Sequence, residues 1–267
     1  MKIELSDDPF GELSDHSPLT FLKQRFSDRV LVMTTDRCFS PCAHCTRSHI
    51  LGRTDTADTP EKIAKCVEYV KKHPKVRDVL LSGGDVLTLP DRRVQELVEA
   101  FAALGQVEVI RICTRAPVAK PERITPALAR LLAKSKKVWV NCHINTAAEV
   151  ARCREAAARL VERGIPVSSQ TVLLKGVNDT PAKMLALLRA LSAARIRPYY
   201  VFQCDPVKDV YERFAVPLEK AKAIETYCAE RIGGLALPRF VADLPGAKRK
   251  TPIELLQDGA AIFSQVI

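Results

Sequence analysis

Asp78-Val79-Leu80-Leu81-Ser82-Gly83-Gly84-Asp85 is the stretch that decides the fold. Its three consecutive apolar residues read as a strand buried on both faces, and it stops on two glycines. A helix is predicted next, around Arg92–Leu104, and then another strand, Val107–Ile112. Outward from this unit the alternation repeats. On the N-terminal side Val30-Leu31-Val32-Met33 is a short apolar strand, and Thr59-Pro60-Glu61 opens a helix with Thr as N-cap and Pro at the first helical position. On the C-terminal side the strands are Val138-Trp139-Val140-Asn141, Pro166–Leu174, Pro198–Gln203 and Phe240-Val241-Ala242. Helices fall between them: one opened by Thr125-Pro126, one about Ala147–Arg163, one opened by Thr180-Pro181 and one about Leu218–Ile232.

Strand starts near 78, 107, 137 and 166 recur every ~30 residues, the length of a βα unit. Strands alternating with helices predict a parallel sheet. Some six βα units fall short of the eight of a closed barrel, so the expected fold is α/β, a partial parallel (β/α)6-type barrel. No Gly/Ser-rich linker divides residues 1–267, which read as one domain: a lead-in over 1–28, the barrel, and a loop with a helix over 243–267. Sites in such folds lie at the C-terminal ends of the strands.

Composition narrows the classes. The chain has 267 residues, 47% hydrophobic, 27% charged and 6% aromatic, which excludes disordered and collagen-like chains. No apolar run approaches the ~18 residues of a membrane span. The start, Met1-Lys2-Ile3-Glu4-Leu5, lacks the apolar core of a signal peptide, so a cytoplasmic protein with no membrane partner is expected. The excess of 41 Lys+Arg over 31 Asp+Glu, +10, suits anionic ligands. No aromatic residues interleave the runs Lys71-Lys72-His73-Pro74-Lys75 and Lys134-Ser135-Lys136-Lys137, so these read as solvated surface and a nucleic-acid partner is not expected.

Nine cysteines, an odd number, argue against a disulfide framework. Cys66, Cys113, Cys142, Cys153, Cys204 and Cys228 stand singly in apolar or helical contexts and read as buried filler. The other three form Cys38-Phe39-Ser40-Pro41-Cys42-Ala43-His44-Cys45, a C-x3-C-x2-C loop just past the first strand. Three thiolates so spaced can wrap one soft metal centre. Structural zinc takes four protein ligands and would need His44 or His49 as well. Iron–sulfur clusters usually take four thiolates, so three leave one iron open to a small chelating ligand.

This loop resembles that of the radical S-adenosylmethionine (SAM) superfamily. The resemblance implies a [4Fe–4S] cluster on Cys38, Cys42 and Cys45, SAM on the open iron, and a 5′-deoxyadenosyl radical. Ser82-Gly83-Gly84-Asp85 looks like the superfamily's motif for the SAM amino group, with Asp85 as an acceptor for the ammonium. From about Asp8 to Pro252 the chain resembles the lysine 2,3-aminomutase family. The matching stretches include Asp28-Arg29-Val30-Leu31, Cys45-Thr46-Arg47, Gln170-Thr171-Val172-Leu173-Leu174-Lys175-Gly176-Val177-Asn178-Asp179, Arg197-Pro198-Tyr199-Tyr200, Gln203-Cys204-Asp205 and Asp243-Leu244-Pro245-Gly246-Ala247-Lys248-Arg249-Lys250-Thr251-Pro252.

What the family adds is pyridoxal 5′-phosphate (PLP), held on the lysine before Thr-Pro, here Lys250. Lys248 is a neighbour out of that register. Thr251-Pro252-Ile253-Glu254 reads as a capping box, which would set Lys250 against a helix N-terminus and favour its neutral amine. Arg25 and Arg29 match the PLP-phosphate arginines, and Arg47 matches the arginine on the substrate α-carboxylate. His143 and Gln170 match positions lining the SAM pocket. Asp205 and Asp243, both at strand ends, match the pair holding a substrate ε-ammonium, which implies L-lysine as substrate, with arginine next.

The implied activity is an isomerase that moves the α-amino group of lysine to C3 and gives β-lysine. Flavodoxin or ferredoxin is the implied electron donor. The alternatives are a radical SAM enzyme modifying RNA or a peptide, and a non-catalytic metal-binding module. The chain departs from longer members: most of their N-terminal helical region and their zinc-binding C-terminal cysteines have no counterpart, and Thr180 replaces another zinc ligand. No structural zinc is therefore expected. The resemblance allows a homo-oligomer. Ser48-His49 stands where further arginines are expected.

Overall fold

In the computed structural model residues 5–49, 51–52 and 55–256 are described. The strands are β1 (Leu22–Phe26), β2 (Arg29–Thr35), β3 (Asp78–Gly83), β4 (Val109–Thr114), β5 (Val138–His143), β6 (Val167–Val172), β7 (Arg197–Phe202), β8 (Arg239–Ala242) and β9 (Thr251–Pro252). The helices are α1 (Pro60–Lys72), α2 (Asp91–Ala102), α3 (Ala116–Ala119), α4 (Pro126–Ala133), α5 (Ala147–Val161), α6 (Pro181–Ala193), α7 (Val210–Phe214) and α8 (Leu218–Ala229).

The strands form one nine-stranded sheet in chain order, β1 to β9. From β2 to β8 every neighbouring pair is parallel, each linked by a helical crossover. This is the anticipated partial barrel. The two outermost strands are antiparallel additions that the apolar pattern did not show: β1 pairs with β2, and β9 with β8.

The helices begin where the sequence placed them. Thr59, Thr125 and Thr180 accept from the backbone N–H of Lys62, Leu128 and Lys183, each satisfying a donor that the helix leaves open. Thr146 and Glu149 complete a reciprocal capping box on α5. Each helix turns an apolar stripe inward: Ile63, Cys66 and Val70 on α1, and Val94, Leu97, Val98 and Phe101 on α2. They meet the outward residues of the strands in one continuous core. Burying a Phe101-sized side chain contributes about 3–5 kcal/mol, judged by the cost of its truncation. Cys66, Cys142, Cys153, Cys204 and Cys228 are buried as expected, whereas Cys113 is only half-buried.

The capping box at Thr251 does not form. Thr251 pairs with Ala242 in the sheet, and Ile253–Leu255 make a single 3-10 turn without a side-chain cap. The Thr-Pro signature is the same as at the three true helix starts, but a sheet partner for Thr251 overrides it. The remainder of the expected C-terminal helix, from residue 257 on, lies outside the described residues.

Candidate active site

The C-terminal ends of the parallel strands surround a cavity of about 340 Å³. Its wall takes in every site residue singled out from the sequence: Cys38, Cys42 and Cys45; Ser82, Gly83, Gly84 and Asp85; Arg25, Arg29 and Arg47; His143 and Gln170; Asp205, Asp243 and Lys250.

The cysteine loop follows β2 and is moored by the glycine pair. Gly84 N–H donates to Thr35 O at 2.6 Å, and Asp85 N–H donates to Arg37 O at 2.7 Å. Gly83 sits at φ 110°, where L side chains are strained, and a Cβ there would fall on the Thr35 carbonyl. A Cβ on Gly84 would fall on the backbone of Arg37. The glycines therefore permit strand β3 to touch the root of the cysteine loop. The thiols of that loop share an electrostatic neighbourhood: burial pushes Cys38 up to about 11, with Asp85, Cys45 and Cys42 adding to the shift. Burial likewise raises Cys45. Thiols that hinder one another's ionisation in this way suit a cationic centre that stabilises all three thiolates together.

Asp85 differs from its expected part. Its carboxylate accepts from Thr114 Oγ1 at 2.6 Å, Arg115 N at 2.8 Å and Leu87 N at 3.0 Å. It ties the loop after β3 to the loop after β4, so it serves the scaffold rather than standing as an unengaged acceptor. Burial raises its carboxyl above the ordinary range.

Two histidines complete this end. His44 Nε2 lies 3.3 Å from His143 Nε2 and 3.2 Å from the Asn145 amide. Burial first, then Arg115, pulls His44 down to about 4; burial, His44 and Arg115 pull His143 down to about 3, so both are neutral at pH 7. One nitrogen of each, with Cys42 Sγ, falls within 4.8 Å of the others, so His44 does stand where a metal ligand could. Arg115 donates to Cys42 Sγ at 3.3 Å while paired with Glu149 at 2.5 Å.

The opposite end is a charge cluster. Lys250 donates to Asp243, and Arg25 grips the same carboxylate with both amino ends, each 3.0 Å away. Arg25 is thus engaged with a carboxylate, and Arg29 with Asp28 at 2.9 Å, while both line the cavity. Burial works to raise Asp243, but Lys250 and Arg25 outweigh it and hold it below the carboxylate range. Burial lowers Lys250 against the pull of Asp243. The expected cause, a helix dipole, is absent; desolvation takes its place. Asp205 is pushed up to about 8 by burial and by the charge of Asp243, and its buried Oδ1 has no hydrogen-bond partner among the described residues.

Sequence reading missed several wall residues. Glu12 holds Arg47 bidentately at 2.7 and 2.8 Å, and Phe10 lies under the Arg25 guanidinium at 4.1 Å. Arg111, Cys113, Asn141, Tyr199 and Tyr200 also line the cavity, and the buried Nδ2 of Asn141 has no hydrogen-bond partner among the described residues. The chemistry of the donor set fits the implied ligands: three thiols, an amine with an arginine, and two buried polar atoms in the wall, Asn141 Nδ2 and Asp205 Oδ1, without partners among the described residues.

Comparison with known proteins agrees. The Radical SAM superfamily model matches residues 32–188. The L-lysine 2,3-aminomutase of Fusobacterium nucleatum is 42% identical over 247 residues, 92% of this chain and 58% of that protein. A putative L-lysine 2,3-aminomutase of Aquifex aeolicus is 38% identical over 254 residues, 94% of this chain and 68% of its own length. This chain belongs to the L-lysine 2,3-aminomutase family of the radical SAM superfamily. The chain spans less than two thirds of the length of the Fusobacterium protein. Among solved structures, Streptococcus suis SuiB bound to precursor peptide SuiA superposes on 84% of this aminomutase-family chain and 50% of its own, with a TM-score of 0.60 at 17% identity. That likeness is one of fold. No described helix is long and apolar enough to cross a membrane.

Proposed function

We propose that the chain is a radical SAM, PLP-dependent 2,3-aminomutase that converts L-lysine to β-lysine. The observation that carries this reading is the single cavity that brings the three-cysteine loop, Arg47, Lys250 and two carboxylates together. Cys38, Cys42 and Cys45 would hold a [4Fe–4S] cluster with SAM beside it, near His143 and Gln170, and Lys250 with Arg25 and Arg29 would hold PLP. When bound, the cluster and SAM supply a radical able to take hydrogen from an unactivated carbon, and PLP supplies a conjugated ring that stabilises an adjacent radical.

The chain's own residues do the rest. Arg47 receives the substrate carboxylate through a fixed fork. Burial and the charge of Asp243 push Asp205 up to about 8, and a substrate ammonium beside it would lower its carboxyl again, so that it gives up its proton and pairs as a carboxylate. Asp243, already ionised and paired with Lys250 and Arg25, would accept the substrate ammonium. Two carboxylates at the far end favour a cationic side chain, lysine first and arginine second.

Anaerobic reconstitution with iron, sulfide, PLP and SAM, a chemical reductant, and product analysis across the common amino acids tests this. β-Lysine is the expected product. No β-amino acid from any of them would remove the reading. We infer further that a small acidic electron carrier delivers the reducing electron to the +10 chain, in the cytoplasm, with no nucleic-acid partner.

A further inference from the structure

Glu12 lies in the segment before β1, outside every strand of the sheet. Its surroundings are built rather than incidental. Ser6 forms a parallel bridge with Val207, its N–H donating to Pro206 O at 3.2 Å, which ties the segment to the loop after β7. The Asp8 carboxylate then accepts from the backbone N–H of Glu12 at 2.8 Å and of Leu13 at 2.7 Å. Gly11 takes the left-handed φ of 63° that the turn requires. This turn drives the Glu12 side chain inward until the residue is 7% exposed. There its two oxygens meet Nε and Nη2 of Arg47. Burial works to raise the Glu12 carboxyl, but Arg47, then Arg25 and Lys23, hold it ionised.

We propose that Glu12 is the positioning residue for Arg47, fixing its guanidinium as the receptor for the α-carboxylate of the amino-acid substrate; this rests on the aminomutase reading above. A bidentate contact to Nε and Nη2 locks the plane of the guanidinium and its rotation about the Cδ–Nε bond. It also balances Arg47's charge, so the arginine can be held in place without an anion in the cavity. The opposite view, that Glu12 is a resident competitor for the substrate carboxylate, predicts the opposite sign: its neutralisation would tighten substrate binding.

The test uses the anaerobically reconstituted holoprotein. L-Lysine is titrated while the PLP absorbance is followed, which gives a dissociation constant without turnover. For Glu12→Gln the constant for L-lysine should rise about tenfold to a hundredfold, the cost of an ångström-scale misplacement. The constant for 1,5-diaminopentane, which keeps both amines and lacks the carboxylate, should stay within about twofold of the parent's, with iron and PLP per chain unchanged. Asp8→Ala, which removes the cap that aims Glu12 but keeps its charge, should show the same selective pattern at about threefold. Glu12→Asp should recover part of the loss. An unchanged or smaller constant for L-lysine in Glu12→Gln overturns the proposal. So does equal weakening toward the diamine, in Glu12→Gln or, if that variant does not fold, in Asp8→Ala. A parent whose spectrum does not respond to any amino acid removes the aminomutase reading itself, and the role of Glu12 with it, a result distinct from the others.

Discussion

Replacing Asp205 by asparagine should make the cofactor-free protein more stable, by an amount that grows with pH. Asp205 is pushed up to about 8 in the folded chain, while an aspartate in the unfolded chain titrates near 3.9. Between those values the folded state keeps a proton that the unfolded state releases, so stability falls as pH rises, and the contribution is fully lost above about pH 8. Across pH 5 to 7, two units at about 1.36 kcal/mol each give about 2.7 kcal/mol, provided the folded-state value stays near 8. Asparagine resembles the neutral carboxyl in shape and has no proton to lose. Asp243 does not interfere, because its lowered carboxyl titrates below this window in both states. His44 and His143, depressed to about 4 and 3, tilt the parent and the variant alike and cancel in the difference. Urea denaturation of both proteins at pH 5, 6 and 7 measures it; with m about 3 kcal/mol/M, the gap between midpoints should widen by about 0.9 M across the range. Stability–pH curves that run parallel would show that Asp205 is ionised in the empty cavity, and would refute the reasoning.

The same aspartates carry the function. Asp205→Asn and Asp243→Asn should each lower kcat/KM for lysine by about 10²–10³-fold, while 5′-deoxyadenosine release from SAM without substrate persists; parent-like turnover in both would redirect the search to neutral or acidic amino acids. Lys250→Ala should abolish the PLP absorbance band and Lys248→Ala should keep it, as difference spectra of the reconstituted proteins will show. Gly84→Ala, whose methyl would fall on Arg37 backbone, should cost about 2–4 kcal/mol in denaturation and lower the iron bound per chain. Serine at Cys38, Cys42 or Cys45 should each remove the cluster's visible absorbance, whereas serine at Cys66, buried in the core, should lower stability and leave the absorbance in place.

Most of the parallel strands were legible as short apolar runs, and three of the helices, α1, α4 and α6, because Thr-Pro marks their starts. β1 was not, since Leu22-Lys23-Gln24-Arg25-Phe26 is an edge strand whose long polar side chains break the apolar run. Residues 251–254 misled for the opposite reason: a good local helix signal was overruled by pairing with a strand. Among site residues, those just after strands could be found by position alone. The Arg25–Asp243 contact could not, because it joins residues 218 apart, and neither could Glu12, one of four acids over residues 7–15 with no periodic pattern to single it out.

That contact has a consequence for biosynthesis. Arg25 sits on the first strand of the sheet, and Asp243 follows the eighth, so their bond laces the two margins of an open barrel. The carboxylate that joins the margins is translated immediately after β8, so this contact cannot form until all eight strands from β1 to β8 have been synthesised. The seam therefore closes late, once nearly the whole barrel has left the ribosome.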